Sequence, residues 1–368
     1  MISSISIRGY RGFAEFEAHD LERVNLLVGS NNSGKTSVLE AIFLLASRGD
    51  PLALWQLLWR RGERVQGAER NQERNPELDV SHLFTGHELR LGAKFVLTAD
   101  NQAPERQLTF SINEIKLEQG PTTPLREHVG VPSRIGLHIK GHPQPLVSVI
   151  PLSRSGGLYS DVLETPRRLR QRTGADDAEI PGQFITADSL GAGELVSLWD
   201  KVSLTPNESR VLIALRFLDG DIERVAAQAG QSYYGGRGGF IVKLRGHENP
   251  IPIGTMGDGM WRMMAMAIAI AHCKGGVLLV DEIDTGLHYS VMANMWRLIF
   301  GAAKELDVQV FATTHSSDCI KSLAELCYAE TDVAENVCLQ RIERGKPKAV
   351  PYTADEIEVA AERQIEVR

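Results

Sequence analysis

The period of hydrophobic and polar positions changes several times along this 368-residue chain. Residues 2–7 alternate apolar and polar side chains, and a turn, RGYRGF, leads into a second short strand over residues 14–17. Residues 88–150 repeat the alternation between Gly, Pro and Asn turns, which predicts an inserted antiparallel β-rich lobe. Residues 189–227 follow a helical period, so we expect a helical lobe over about 188–260.

The sharpest change of pattern lies at residues 24–46, where an apolar run stops at GSNNSGKT and an apolar, helix-favouring run follows. Strand, Gly-rich loop and helix in this order match G-x-x-x-x-G-K-[ST], a loop whose N–H groups cradle phosphates. Lys35 can reach the β- and γ-phosphates, and the Thr36 hydroxyl can bind Mg²⁺. The residues predicted to contact a nucleotide here are Gly29, Ser30, Asn31, Asn32, Ser33, Gly34, Lys35, Thr36 and Ser37.

A second apolar run, residues 277–280, ends in two carboxylates, Asp281 and Glu282. By itself such a run also fits an acidic turn. Downstream of a phosphate-binding loop, it predicts Asp281 near the metal and Glu282 as the group that polarises a water for attack on the γ-phosphate. A third strand, residues 309–313, precedes His315, which we expect to donate a hydrogen bond to the γ-phosphate or the attacking water. Glu282, Lys35 and His315 are the predicted catalytic residues.

Two further features could contact phosphate or base. Arg11 lies in the N-terminal turn and could meet the nucleotide, although a solvated arginine at a strand end fits the sequence equally well. A Gly-rich turn precedes the helix predicted over 260–273, and helix N-termini bind anions. Because one chain already has its phosphate loop, this turn suggests contact with the nucleotide of another chain. Its candidate residues are Thr255, Gly257, Asp258 and Gly259.

Composition narrows the class of protein. A net charge of −7 argues against a protein that coats nucleic acid by bulk charge, although the Arg-rich segments 60–74 and 167–172 leave a local DNA contact open beside the more common solvated surface. The chain has four cysteines without C-x₂-C spacing, no signal-peptide pattern and no apolar run of membrane-spanning length. We therefore expect a cytoplasmic protein with no membrane partner.

The order GSNNSGKT, GDGMWR, VLLVDEIDTGLH and TTHS resembles ABC-type ATPases of the branch that contains SMC, RecF-like and OLD (overcoming-lysogenisation-defect) proteins. The resemblance covers residues 1–50 and about 185–342. It implies an α/β fold, an ABC-type P-loop NTPase with a mixed central sheet, and a single ATPase unit over residues 1–368 whose nucleotide-binding core is 1–50 and 260–342. It also implies a homodimer or higher oligomer with ATP and Mg²⁺ sandwiched between subunits.

Two positions depart from the pattern of these ATPases. The signature motif reads TMGDG rather than LSGGQ, and no glutamine is an unambiguous Q-loop residue; Gln183 is the predicted metal ligand there. No TOPRIM carboxylate set is visible after His315, so we expect an ATPase subunit that regulates a separate effector, such as a nuclease or toxin in anti-phage defence. The alternatives are a RecF- or SMC-like DNA-binding repair ATPase and an ATP-locked assembly scaffold with little turnover.

Overall fold

A computed structural model describes residues 1–65, 77–100, 106–115, 135–142, 147–153, 155–158, 181–228 and 239–362. Its strands are β1 (Ser4–Tyr10), β2 (Phe13–Ala18), β3 (Val24–Val28), β4 (Leu78–Asp79), β5 (Lys94–Asp100), β6 (Arg106–Glu114), β7 (Ile135–His142), β8 (Val147–Pro151), β9 (Gly157–Leu158), β10 (Gly182–Ile185), β11 (Ile222–Ala227), β12 (Phe240–Leu244), β13 (Ile251–Pro252), β14 (Val277–Val280), β15 (Gln309–Thr313), β16 (Val337–Arg341) and β17 (Val350–Tyr352). Its α-helices are α1 (Lys35–Ala46), α2 (Pro51–Arg60), α3 (Ala192–Val202), α4 (Pro206–Arg216), α5 (Asp258–His272), α6 (Met292–Glu305), α7 (Ser317–Ala329), α8 (Thr331–Ala334) and α9 (Ala354–Glu362).

The chain divides into two compact units. The first unit consists of Met1–Ile2, Ala18–Leu39 and Ile180–Arg368, and the second of Ser3–Glu17 and Glu40–Glu179. The boundary inside α1 is therefore a property of the fold that the sequence pattern does not mark.

The first unit is built on a mixed six-stranded sheet in the order β10-β14-β15-β3-β16-β17. The pairs from β10 to β16 are parallel, and β17 runs antiparallel to β16. Strands β3, β14 and β15 are buried along their whole length, as expected for parallel strands covered on both faces. The predicted α/β class with a mixed central sheet is confirmed.

Residues 188–260 combine two helices, α3 and α4, with a three-stranded sheet in the order β11-β12-β13. The helical period predicted as far as Ala227 is wrong after Arg216, because residues 222–227 pair with β12 instead. The start of α4 is capped by Thr205, whose Oγ1 accepts from Asn207 N at 3.2 Å. Glu208 reaches back to accept from Leu204 N at 2.7 Å.

The second unit holds a sheet in the order β2-β1-β5-β6-β7-β8, and its pairs from β1 to β8 are antiparallel. The rings of Phe95 and Phe110 stack in its core with centroids 4.4 Å apart. Strands β1 and β2, which lie within the residues 1–50 predicted as part of the nucleotide-binding core, belong to this sheet. The reason is a pairing between distant positions, with Ile5 opposite Ala99.

All four cysteines are free and buried. No helix within the described ranges is both long enough and apolar enough to cross a membrane.

Candidate functional site

The loop between β3 and α1 has the backbone that a phosphate cradle needs. Gly29 has φ of +144°, and a Cβ there would lie 2.2 Å from Ile342 O, so a side chain at this position would clash with the neighbouring main chain. Gly34 has φ of +105° and directly precedes α1. Ser30, Asn31 and Asn32 are exposed at the tip of the loop. The loop therefore opens to solvent at the N-terminus of a helix, where anions bind.

Lys35 is 6% exposed and folds back over this loop. Its Nζ donates to Gly29 O at 2.8 Å and to Ser30 O at 3.0 Å. Burial lowers the pKa of Lys35, and the charges of Asp281 and Glu282 act in the opposite direction. An ammonium held by two neutral carbonyls can exchange them for a phosphate, because a charge-assisted hydrogen bond is the stronger interaction.

Asp281 accepts hydrogen bonds from the first turn of α1 and from the end of β15. Its Oδ2 accepts from Thr36 Oγ1 at 3.0 Å, and its Oδ1 accepts from Thr313 Oγ1 at 2.6 Å. Thr36 follows β3, Asp281 follows β14, and Thr313 ends β15. Parallel strands bring their carboxyl ends to one edge of a sheet, and this is the edge where α/β proteins bind ligands.

Glu282 occupies a strained backbone position next to Asp281. Its φ is +49°, a left-handed conformation that is costly for a residue with a side chain. Its N–H donates to Thr313 Oγ1 at 2.8 Å, and its Oε2 accepts from Thr285 Oγ1 at 3.1 Å. Strain of this kind persists only where the surrounding contacts hold it, and it is concentrated at functional sites.

His315 lies in the same electrostatic environment. Burial lowers the pKa of its imidazole, as does the charge of Lys35, while Glu282, Asp284 and Asp281 act in the opposite direction. The preceding residue, Thr314, is buried and donates to Asp284 Oδ1 at 2.5 Å. The charged groups predicted for catalysis therefore act on one another, as an assembled site requires.

The Gly-rich turn before α5 is exposed. Gly257 has φ of +91° and precedes Asp258, the first residue of the helix. Gly259 packs so closely on the loop after Glu282 that a Cβ there would lie 2.9 Å from Gly286 O. Thr255 Oγ1 donates to Pro252 O at 2.7 Å, so its hydroxyl hydrogen is engaged within the turn.

Gln183 does not join this site. Its register partner is Leu278, three residues before Asp281, and its Nε2 donates to Glu194 Oε1 at 2.8 Å. A glutamine inside β10 stands short of the strand ends where Asp281 lies, and we therefore leave Gln183 out of the metal site. The residues that do follow β10 begin with Thr186.

Arg11 lies in the second unit and is engaged by carboxylates. Its guanidinium lies 2.6 Å from Glu40 Oε2 and 2.6 Å from Glu63 Oε1. Its contact with a nucleotide stays a prediction. The segment 167–172 and the part of segment 60–74 after Val65 lie outside the described residues.

Three further residues of the site, Thr313, Thr314 and Arg262, were not predicted from the sequence. Thr313 and Thr314 belong to the quoted motif TTHS, so their place at a strand end was the available signal. Arg262 is the one charged residue within the apolar stretch 260–271 of α5, and its guanidinium donates to the carbonyls of Thr186, Asp281 and Glu282. A buried charge within an apolar helix face is a signal that can be read from sequence.

The oxygens of Thr36 and Asp281 fit a magnesium ion. Mg²⁺ prefers hard oxygen ligands, and proteins usually supply one or two carboxylates while phosphates and water complete the shell. A hydroxyl and a carboxylate oxygen 3.0 Å apart beside the phosphate loop are such a set.

Two family models match the chain. One is described as "AAA ATPase domain" and matches residues 1–121. The other is described as "AAA domain, putative AbiEii toxin, Type IV TA system" and matches residues 188–318. The first match includes the phosphate loop, and the second includes the Gly257 turn, Asp281, Glu282 and His315.

Individual proteins are also similar. An "ATP/GTP phosphatase" of Helicobacter pylori is 20% identical over 381 residues, covering 96% of this chain and 95% of that protein. The "DNA replication and repair protein RecF" of Nitrosococcus oceani is 50% identical over 44 residues, 12% of each chain. Among solved structures, the "SMC head domain from Thermotoga maritima" superposes with a TM-score of 0.45 at 12% identity, covering 96% of this chain and 98% of that one.

One assignment follows from three observations. These are the two family models, the similarity to a phosphatase of ATP and GTP along nearly the whole chain, and the geometry at the ends of β3, β14 and β15. The chain is an α/β P-loop protein that is similar over residues 1–121 and 188–318 to AAA ATPase domains, and these similarities support ATP hydrolysis.

Proposed function

We propose that this ATPase hydrolyses ATP with Mg²⁺ in a site that a second copy of the chain completes, and that nucleotide-driven closure regulates a separate effector. The observation that carries the hydrolytic part is the hydrogen-bonded link from Thr36 through Asp281 and Thr313 to Glu282. It joins the phosphate loop to the main chain of Glu282, whose carboxylate can accept a proton from water.

In this mechanism the loop N–H groups bind the phosphates, and Lys35 leaves the carbonyls of Gly29 and Ser30 for the β- and γ-phosphates. Glu282 orients the attacking water and takes its proton. His315 donates a hydrogen bond toward the γ-phosphate side, where its neutral form avoids adding charge beside Lys35. Thr36 and Asp281 would hold Mg²⁺, which when bound neutralises charge on the phosphate oxygens.

A second copy is proposed because the chain already has its own phosphate loop, and the Gly257 turn offers a second helix N-terminus where an anion can bind. Gly257 and Asp258 are exposed at the N-terminus of α5, a 15-residue helix. An exposed helix N-terminus with a flexible glycine suits the γ-phosphate of a nucleotide held by another chain.

Effector control is supported by the family model that matches residues 188–318, whose description names a toxin of a toxin–antitoxin system. A role in anti-phage defence is proposed on this basis. The local similarity to a RecF protein favours a second candidate, a repair ATPase that clamps duplex DNA.

The decisive experiment measures phosphate release by the wild-type chain and by Glu282→Gln, with Mg²⁺ and with EDTA. We expect turnover that EDTA abolishes and that Glu282→Gln lowers at least about 100-fold, while ATP binding persists. Light scattering of Glu282→Gln with ATP should show twice the monomer mass. Stoichiometric binding without turnover by the wild type would favour the scaffold, and a monomer under all conditions would remove the composite site.

A second experiment separates the two biological roles. Duplex-stimulated ATPase activity that falls steeply with salt would favour the DNA clamp. Purification of the tagged chain from its native host, with ATP and with ADP, should return a specific nuclease-like or toxin-like protein in one nucleotide state only if the effector role is right.

A further inference from the structure

Arg262 is an unusual residue for its surroundings. It is 2% exposed, and residues 260–271 around it on α5 are all buried. Burial lowers the pKa of Arg262 to about 10, against the opposing charges of nearby acidic residues. A buried charge is costly unless hydrogen bonds compensate it, and a methionine would fill this position without that cost. The guanidinium must therefore provide something that an apolar side chain does not.

The partners of the guanidinium are main-chain carbonyls at the ends of two neighbouring strands. Nη1 donates to Thr186 O at 2.5 Å, directly after β10. Nη2 donates to Asp281 O at 2.6 Å and to Glu282 O at 2.8 Å, directly after β14. The planar fork of arginine can meet several acceptors in fixed directions, whereas the ammonium of lysine is a compact point charge.

These contacts complete the restraint on Glu282. The N–H of Glu282 donates to Thr313 Oγ1, and its C=O accepts from Arg262 Nη2. Hydrogen bonds therefore hold the main chain of this left-handed residue at both its N–H and its C=O. A φ of +49° is costly for a residue with a side chain and needs such support. Nε of Arg262, by contrast, is buried without a hydrogen-bond partner among the described residues. The guanidinium thus donates hydrogen bonds to all three carbonyls, while its own Nε has no partner among the described residues.

The loop after Glu282 is also held to α5 at a second point, where Gly259 lies against Gly286. Gly259 and Arg262 lie three residues apart, on the first turns of α5, and Gly286 follows Glu282 by four residues. The start of α5 and the loop are therefore connected at both ends of the loop. A shift of the Gly257 turn would reach Glu282 through these contacts.

We propose that Arg262 is a positioning residue for hydrolysis, which sets the main-chain conformation of Glu282 and links it to the turn at the start of α5. The proposal rests on the proposed role of Glu282 as the group that activates water. Arg262 touches neither nucleotide nor water in this role. Its effect is expected on the rate of the chemical step and not on the affinity for ATP.

The test compares Arg262→Lys and Arg262→Met in the full-length chain. We expect kcat to fall about 10- to 100-fold in both variants, because the hydrogen bonds from the charged guanidinium to the carbonyls are lost or displaced. KM and the Kd for ATP should stay within about twofold of the wild-type values. Arg297→Met is the matched control: Arg297 is half-exposed on α6, pairs with Glu330, and its replacement should leave kcat unchanged.

A double variant distinguishes positioning from a general structural role. If Arg262 acts through Glu282, adding Arg262→Lys to Glu282→Gln should not lower the residual turnover further. The proposal would be overturned if Arg262→Lys lowers turnover in the Glu282→Gln background by the same factor as in the wild type. It would also be overturned if Arg262→Lys alone keeps the wild-type kcat. Failure of both single variants to fold would also overturn it, by assigning Arg262 to stability.

The failure of the proposed function looks different. If Glu282→Gln leaves the wild-type turnover unchanged, the role of Glu282 is wrong, whatever Arg262 does. If Glu282→Gln is inactive and Arg262→Lys is fully active, only the positioning role is wrong.

Discussion

Each unit of the chain buries a cluster of polar and charged side chains, and the two clusters differ in how completely they are paired. In the second unit, Arg11 and Arg61 both lie 2.6 Å from carboxylate oxygens of Glu40, and Arg11 lies 2.6 Å from Glu63. Tyr10 also donates to Glu40. Two positive and two negative groups satisfy one another, which is how proteins usually bury charge.

The cluster of the first unit is incompletely paired. Lys35 rests on neutral carbonyls, and Ser33 Oγ and Arg262 Nε are buried without partners among the described residues. Glu282 adds a strained backbone. Buried charge alone therefore does not mark a functional site, because both clusters have it. Spare hydrogen-bonding capacity does, because a ligand can use it. A left-handed backbone does not separate the two clusters, since Arg11 has φ of +50° and Glu282 has φ of +49°.

The largest effect is expected from Lys35→Ala, which removes the cation of the incompletely paired cluster. Turnover of ATP should fall about 10³-fold, because a fixed positive charge no longer stabilises the charge that develops on the phosphates. Steady-state phosphate release measures it, with Lys304→Ala as the control for an exposed lysine that pairs with Asp332. More than a tenth of the wild-type rate in Lys35→Ala would contradict the assignment.

Glu40→Gln should break the closed cluster. We expect the free energy of unfolding to fall by about 3 kcal/mol, because two arginines lose a shared buried partner. Chemical denaturation measures the change. Asp332→Asn breaks an exposed pair and should cost less than about 1 kcal/mol. Equal losses in the two variants would mean that the buried network is no stronger than a surface pair.

A smaller effect is expected from Thr313→Val, which removes the hydroxyl between Asp281 and Glu282. Turnover should fall about tenfold, the cost of one hydrogen bond to a charged group. Thr313→Ser keeps the hydroxyl and should keep most of the rate. If valine and serine variants behave alike, the methyl group and not the hydroxyl matters at this position.

The smallest effect concerns pH. The folded chain holds the pKa of His315 below its ordinary value of 6.5, chiefly through burial and also through Lys35. The unfolded chain therefore takes up the proton first as the pH falls through about 6.5, and the stability of the folded state declines. His315→Asn should show a smaller decline between about pH 7.5 and 5.5 by thermal denaturation. His247→Asn, an exposed histidine, should follow the wild-type curve.

Local patterns predict the parts of the site that are contiguous in sequence. The apolar runs of β3, β14 and β15 and the residues directly after them could be read without a structure, because each strand is buried along its length and ends at a polar group. The Thr205 cap of α4 was equally local.

Pairings between distant positions could not be read in this way. β1 pairs with β5 in the second unit, and residues 222–227 become a strand only because β12 lies beside them. Arg262 binds carbonyls at residues 186, 281 and 282, a set that no spacing rule suggests. The place of Gln183 opposite Leu278 could not be read either, because it depends on the register of β10 with β14.

The register of β3 has a consequence for the order in which the molecule assembles. Leu26 lies opposite Ala312 on one side and Leu339 on the other. The strand that carries the phosphate loop is synthesised before both of its neighbours, because β3 precedes β15 and β16 by most of the described chain. Pairings of such high sequence separation form slowly, and until they form, both edges of β3 are open to chaperones or to wrong partners. The strand that carries the phosphate loop therefore exists for some time before the two strands that enclose it are translated.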